Sequence, residues 1–177
     1  MDPAAAVELF NRAPNQSVKF SVYTGDDDST TEAHLREKVT YGIEKFSDII
    51  HMKRSLTTRL YNLSQHGKFD NCSPLSQKVI NYLVKCFPYA TAQNKGDSKG
   101  IQAAIKSTVP HAFGNHSKCA SWCKFKSNPA TYRHKDLPHG KDLHGEKLQS
   151  ALTNIFSDYC TDAVAEKLAP MTKFPAK

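Results

Sequence analysis

Residues 18–32 read Val18-Lys19-Phe20-Ser21-Val22-Tyr23-Thr24-Gly25-Asp26-Asp27-Asp28-Ser29-Thr30-Thr31-Glu32. Val18 to Tyr23 alternates apolar and polar side chains, the period-two pattern of a half-buried strand. Gly25 closes it. Ser29-Thr30-Thr31-Glu32 has the form of a capping box, so Ser29 is expected to cap a helix running to about Val39. Asp26 therefore follows a strand and precedes a helix. Metal-dependent phosphoryl transfer sets its carboxylates on such rigid strand ends, where two or three from separate strands clamp divalent ions. Acidic residues at a helix N-terminus are also favoured by the helix dipole alone.

On the N-terminal side, Ala4 to Arg12 reads as a helix with Val7 and Phe10 on one face, ended by Pro14-Asn15. On the C-terminal side, Phe46 to Ile50 reads as a second short strand ending at His51. Asp48 and His51 could meet across a turn, the carboxylate orienting the imidazole; a half-buried His at a strand end is the plainer alternative. Helical spacing follows in Leu56, Leu60 and Leu63, with Lys53, Arg54 and Arg59 nearby. Leu75 to Phe87 is amphipathic, with Val79, Leu83 and Cys86 on its apolar face. Lys99 to Thr108 is a shorter helix that Pro110 is expected to stop. Leu148, Leu152 and Phe156 open a last long helix. The fold class expected is α/β, helix-dominated, with two short strands.

Composition narrows the function classes. The chain has 177 residues, 39% of them hydrophobic, which suits one ordinary domain, or one and a half small ones, and not a disordered tail. No stretch approaches the roughly 18 apolar residues of a membrane span. Met1-Asp2-Pro3-Ala4 has no basic stretch followed by an apolar run, so no secretory signal is expected. Five cysteines, an odd number, argue against a disulfide framework and for thiols that are free or on a metal. The net charge of +7 divides unevenly: residues 1–50 carry five Lys/Arg and nine Asp/Glu, the remainder nineteen and eight. A basic remainder of net +11 suits a polyanion such as DNA or RNA.

Residues 110–145 hold five of the eight histidines and little periodicity. His116-x2-Cys119-x3-Cys123 followed by His134 offers two imidazoles and two thiols, a donor set for a tetrahedral structural Zn²⁺. His111, His139 and His144 are further choices. A His-rich loop with two incidental thiols is the alternative.

Taken together, several of these stretches resemble the Mutator-like transposase domain of eukaryotic mobile elements. The resemblance rests on Met1 to Phe10, on Tyr23-Thr24-Gly25-Asp26-Asp27-Asp28-Ser29-Thr30-Thr31 and on Glu44-Lys45-Phe46-Ser47-Asp48-Ile49-Ile50-His51. It continues through Asn94-Lys95-Gly96, Ser121-Trp122-Cys123, Tyr132-Arg133-His134-Lys135 and Lys167-Leu168-Ala169-Pro170.

The resemblance implies a ribonuclease-H-like catalytic fold in which Asp, Asp and Glu bind two Mg²⁺ or Mn²⁺ ions for DNA strand cleavage and transfer. It maps the family's second Asp onto Asp26, with Asp28 at the other acidic position of that motif. A Cys-or-Asp-x2-His motif falls on Asp48 and His51. Residues 1–51 would then be a partial catalytic portion and 52–168 a largely helical insertion with the His/Cys segment at 111–144. Residues 169–177 would be a tail.

The first Asp is expected upstream of Met1 and the final Glu beyond Lys177, which makes the chain an internal fragment, inactive alone. The other reading is a zinc-stabilised DNA-binding or protein-interaction module. Lys53, Arg54, Arg59, Lys124, Lys126, Arg133 and Lys135 are the candidate phosphate contacts. DNA is the expected partner, with a homo-oligomer allowed and no membrane. The resemblance implies a nuclear location.

Overall fold

The computed structural model describes residues 2–25, 29–47 and 49–169. It separates into two compact units, Met1–Asp48 and Ile49–Lys177.

In the first unit, helix α1 (Pro3–Arg12) starts where the Asp2 side chain accepts the Ala4 N–H at 3.0 Å, with Pro3 in the first turn. Proline suits that position because its missing N–H would have no helical partner. Strands β1 (Val22–Gly25) and β2 (Glu44–Ser47) pair in parallel, Val22 opposite Glu44 and Gly25 opposite Ser47. Helix α2 (Ser29–Lys38) is the crossover that a parallel pair requires, and it begins at the residue expected to cap it. Ala6 and Phe10 pack on Leu35 and Val39, with Tyr23, Tyr41 and Ile43 around them. The Tyr41 hydroxyl donates to the Phe10 carbonyl at 2.6 Å, and the Asn11 amide donates to that of Lys38 at 3.1 Å.

Both strands lie away from their expected positions. The alternation over 18–23 gives a period but not a partner, and pairing begins only at Val22. Val18 and Phe20 stay outside the strand and exposed. The second strand ends at Ser47, and Ile49-Ile50-His51 is helical. Ile49 starts an apolar row with Met52, Leu56 and Leu60 at helical spacing, and burying that row overrides the β preference of two adjacent isoleucines.

The second unit is helical among the described residues. It contains α3 (Ile49–His66), α4 (Gln77–Gln93), α5 (Ser98–Ala112), a single turn α6 (Lys124–Ser127), α7 (Glu146–Ser157) and α8 (Asp162–Leu168). Helix α5 packs on α4, α7 and α8 and is the spine of the unit. Leu56, Leu60, Leu83, Phe87, Ile101, Ile105, Leu148, Leu152 and Leu168 are fully buried in one core.

Helix α5 does not stop before Pro110; it runs through it to Ala112. Pro110 removes one ladder bond, the one its own N–H would have given. The turn survives because Phe113 N–H reaches the Val109 carbonyl at 3.3 Å and Gly114 N–H reaches that of His111 at 3.1 Å. This places His111 on the last turn of a rigid helix rather than in a loop.

Gly145 precedes α7 with φ +105°, and a Cβ there would overlap Cys72. The neighbours hold the two segments together: Ser73 N–H donates to the His144 carbonyl and His144 N–H donates to Ser73 Oγ, both at 2.9 Å. Gly145→Ala should lower the thermal midpoint by about 5–10 °C, the effect of roughly 2–3 kcal/mol of backbone strain and overlap. Calorimetry of the two chains reads it; equal midpoints would show that the segments part freely.

Candidate metal centre

Four buried side chains meet at the end of α5: His111, His116, Cys119 and Cys123. The local sequence makes the meeting. Gly114, at φ +80°, turns the chain back after the helix, and Asn115 N–H closes onto the Pro110 carbonyl at 2.9 Å. His116 is thereby returned to face His111. Two further turns, Cys119 N–H to the His116 carbonyl and Cys123 N–H to that of Ala120, each at 3.2 Å, bring both sulfurs inward.

The separations are short. His111 Nδ1 lies 2.9 Å from His116 Nδ1, 3.3 Å from Cys119 Sγ and 3.7 Å from Cys123 Sγ. Cys123 Sγ lies 3.5 Å from His116 Nδ1. All four donor atoms fall within 4.8 Å of one another, and both thiols are free of disulfides. The group could hold a metal such as zinc.

Aromatic rings and a third histidine surround it. The His116 ring stacks on Phe125 at 4.0 Å, and Trp122 meets the His111 ring edge-on at 5.0 Å. Tyr132 Oη lies 3.3 Å from His111 Nε2 and 3.2 Å from His134 Nδ1. His134 Nε2 donates to the His111 carbonyl at 2.9 Å and lies 3.6 Å from Asp142. His116, His134 and Asp142 form a second candidate set, whose Asp142 is exposed.

Burial is the main electrostatic force here. It pushes His111 down to about 3, helped by His134 and His116. It lowers His116 and His134 as well, with Asp142 opposing. Burial and the neighbouring Cys123 push the Cys119 thiol up to about 12, with Lys126 opposing. A metal-free cluster at neutral pH thus holds a neutral His111 imidazole and a protonated Cys119.

Of the residues expected to hold zinc, His116, Cys119 and Cys123 come together, and His134 lies beside them. His111, one of the further choices, is the fourth member of the tight group. His139 is exposed in a 3-10 turn, and His144 bonds Ser73 Oγ at 2.9 Å. The signal for His111 was present as His111-x4-His116-x2-Cys119-x3-Cys123, but spacing alone did not set it above His134, His139 or His144. Tyr132 and Asp142 carried no spacing signal.

Asp26, Asp28 and Asp48 lie outside the described residues. His51 is half-buried on α3. Lys53 and Arg54 are exposed on the same helix, whereas Arg59 is paired with Asp158 at 2.6 Å and sits over the Tyr159 ring. Lys124 and Lys126 are exposed on α6 directly after Cys123, and Arg133 and Lys135 are exposed on either side of the buried His134. No helix among the described residues is long and apolar enough to cross a membrane.

Among curated proteins and among solved structures, none matches the chain. The family model for the Mutator-like transposase matches residues 1–123, a span that takes in the parallel strand pair and ends on the last of the four clustered donors, Cys123. With more than half its length matched, the chain belongs to the Mutator-like transposase family.

Proposed function

We propose that the chain is an internal part of a DDE-type DNA transposase of eukaryotic mobile elements. Residues 1–51 supply a piece of its ribonuclease-H-like catalytic fold. The family match supports this reading, and so does one register. Gly25 stands opposite Ser47 in a parallel pair, and the next residues in sequence are Asp26 and Asp48. Parallel strands present their carboxyl ends at one edge, where α/β proteins bind ligands. Asp26 is then one metal-binding carboxylate of three, and the family's motifs fall on Asp28, Asp48 and His51 as well. The other two would come from sequence on either side, and Mg²⁺ or Mn²⁺ would bind only to the full set.

The test is to extend the reading frame in genomic DNA on both sides. An upstream strand carrying Asp and a downstream Asn-Glu-Ser-type motif are expected; stop codons without them would remove the catalytic reading. The isolated chain should cut no DNA with Mg²⁺ or Mn²⁺ present. Metal-dependent cleavage by residues 1–177 that Asp26→Ala abolishes would overturn the assignment of a partial site.

The buried His/Cys group favours a second role, a zinc-stabilised module that contacts DNA from the insertion. Its ligand-bearing segment is interleaved with exposed cations, Lys124 and Lys126 after Cys123 and Arg133 and Lys135 around His134. The alternative partner is another protein chain, including a second copy. A protein working on chromosomal DNA in this way acts in the nucleus.

A further inference from the structure

We infer that His111 Nδ1, His116 Nδ1, Cys119 Sγ and Cys123 Sγ bind one zinc ion, and that Tyr132 and His134 are positioning residues that fix the tautomer of His111. The inference rests on the zinc-module reading above and assigns its ligands.

The distances support a common centre. Zinc takes nitrogen at about 2.0–2.1 Å and sulfur at about 2.3 Å, so a tetrahedron around it has nitrogen–nitrogen edges of about 3.3 Å and nitrogen–sulfur edges of about 3.5 Å. The nitrogen–sulfur separations here are 3.3, 3.5 and 3.7 Å, and the nitrogen pair is 2.9 Å apart. Three ligand atoms crowd His111 Nδ1, which has one lone pair or one proton to offer. Hydrogen bonding can satisfy only one of them. A central cation satisfies all of them, and a mixed imidazole and thiolate set suits zinc.

The hydrogen bonds through Tyr132 decide which histidine is the ligand. If His111 gives its Nδ1 lone pair to the metal, its Nε2 carries the proton and donates to Tyr132 Oη, 3.3 Å away. Tyr132 then donates to His134 Nδ1 at 3.2 Å, and His134 Nε2–H donates to the His111 carbonyl at 2.9 Å. Tyr132 Oη is also 3.4 Å from His134 Nε2, but that nitrogen has the shorter carbonyl to serve. Every proton in the ring has one acceptor. His134 uses both nitrogens and keeps no lone pair for a metal, so the set of His116, His134 and Asp142 loses its central member. Asp142 lies 3.6 Å from His134 Nε2, where its charge helps hold that proton. Such outer partners orient metal-bound histidines in general.

The test loads the full chain with zinc and then with cobalt, whose optical spectrum counts thiolates. The unaltered chain should take up one zinc and give a tetrahedral cobalt spectrum with two thiolates; failure to bind zinc would remove the zinc module itself. His111→Cys should add a thiolate signature, and His134→Cys should not. The reverse pattern would make His134 the ligand and overturn the assignment. Tyr132→Phe keeps the ring and removes both hydrogen bonds. It should preserve the cobalt spectrum while zinc affinity falls about 10–100-fold. Unchanged affinity would overturn the positioning role with the metal site left standing.

Discussion

Stripping zinc from the second unit is expected to lower its thermal midpoint by about 10 °C and to open residues 113–145 to protease, while the core around α5 stays folded. That segment holds only one short helix and one 3-10 turn, and its apolar anchors in the main core are few, Leu137 and Leu143 among them. Short backbone turns, such as Cys119 N–H to the His116 carbonyl, and the side chains that converge on the proposed metal position supply the rest of its order. A ligand present at a thousand times its Kd stabilises by about 4 kcal/mol, and for a chain of this size each kcal/mol moves the midpoint by roughly 2–4 °C. Cys123→Ser should reproduce the apo state in the presence of zinc.

The effect carries a pH dependence. The metal must displace the proton of Cys119, whose pKa is pushed up to about 12 in the metal-free cluster. His111, pushed down to about 3, is already neutral and releases nothing. Zinc affinity therefore rises with pH through neutrality, by up to about tenfold per unit for each thiol proton released. Equal midpoints with and without chelator at pH 7.5, or an affinity that falls as pH rises, would refute this account.

Duplex DNA binding by the full chain should weaken about 100-fold as salt rises from about 50 to 200 mM, the signature of phosphate contacts that release counterions. The net +11 after residue 50 supplies the charge. Arg59 should contribute little, because Asp158 already neutralises it at 2.6 Å. Lys124, Lys126, Arg133 and Lys135 are the test set, since all four are exposed and flank the metal cluster. If about four phosphates are engaged, log K falls with log salt at a slope near −3.6. Replacing these four residues by Gln should flatten that slope more than replacing Lys53 and Arg54. Fluorescence anisotropy of a labelled duplex measures both. A slope near zero would point to a protein partner for this face instead.

Helices were legible wherever burial follows a regular stripe. Leu56, Leu60 and Leu63 marked α3, and Leu148, Leu152 and Phe156 marked α7. The strands were less so, because alternation at 18–23 describes a surface and not the neighbour that pairs with it. Ile49-Ile50 was misleading for a related reason: local β preference is weak beside a buried row that starts at Ile49 and runs through Leu60. In the metal centre, three of the four clustered donors could be read from spacing. The fourth, His111, stood only among the further choices, because the turn through Pro110 that aims it at His116 depends on how the following N–H groups find carbonyls, which spacing does not encode. The ring through Tyr132 and His134 is a tertiary arrangement with no sequence period at all.

The four clustered donors all lie between His111 and Cys123, and this bears on the order of folding. Joining ends across so few residues loses little chain entropy, and that loss grows only slowly with loop length. If the group binds zinc as proposed, the site can close once the chain through Cys123 is made, before α7 and α8 have left the ribosome. Tyr132 and His134 would arrive later, after the four donors have met. A chain made without zinc would reach its last helices with this early anchor missing.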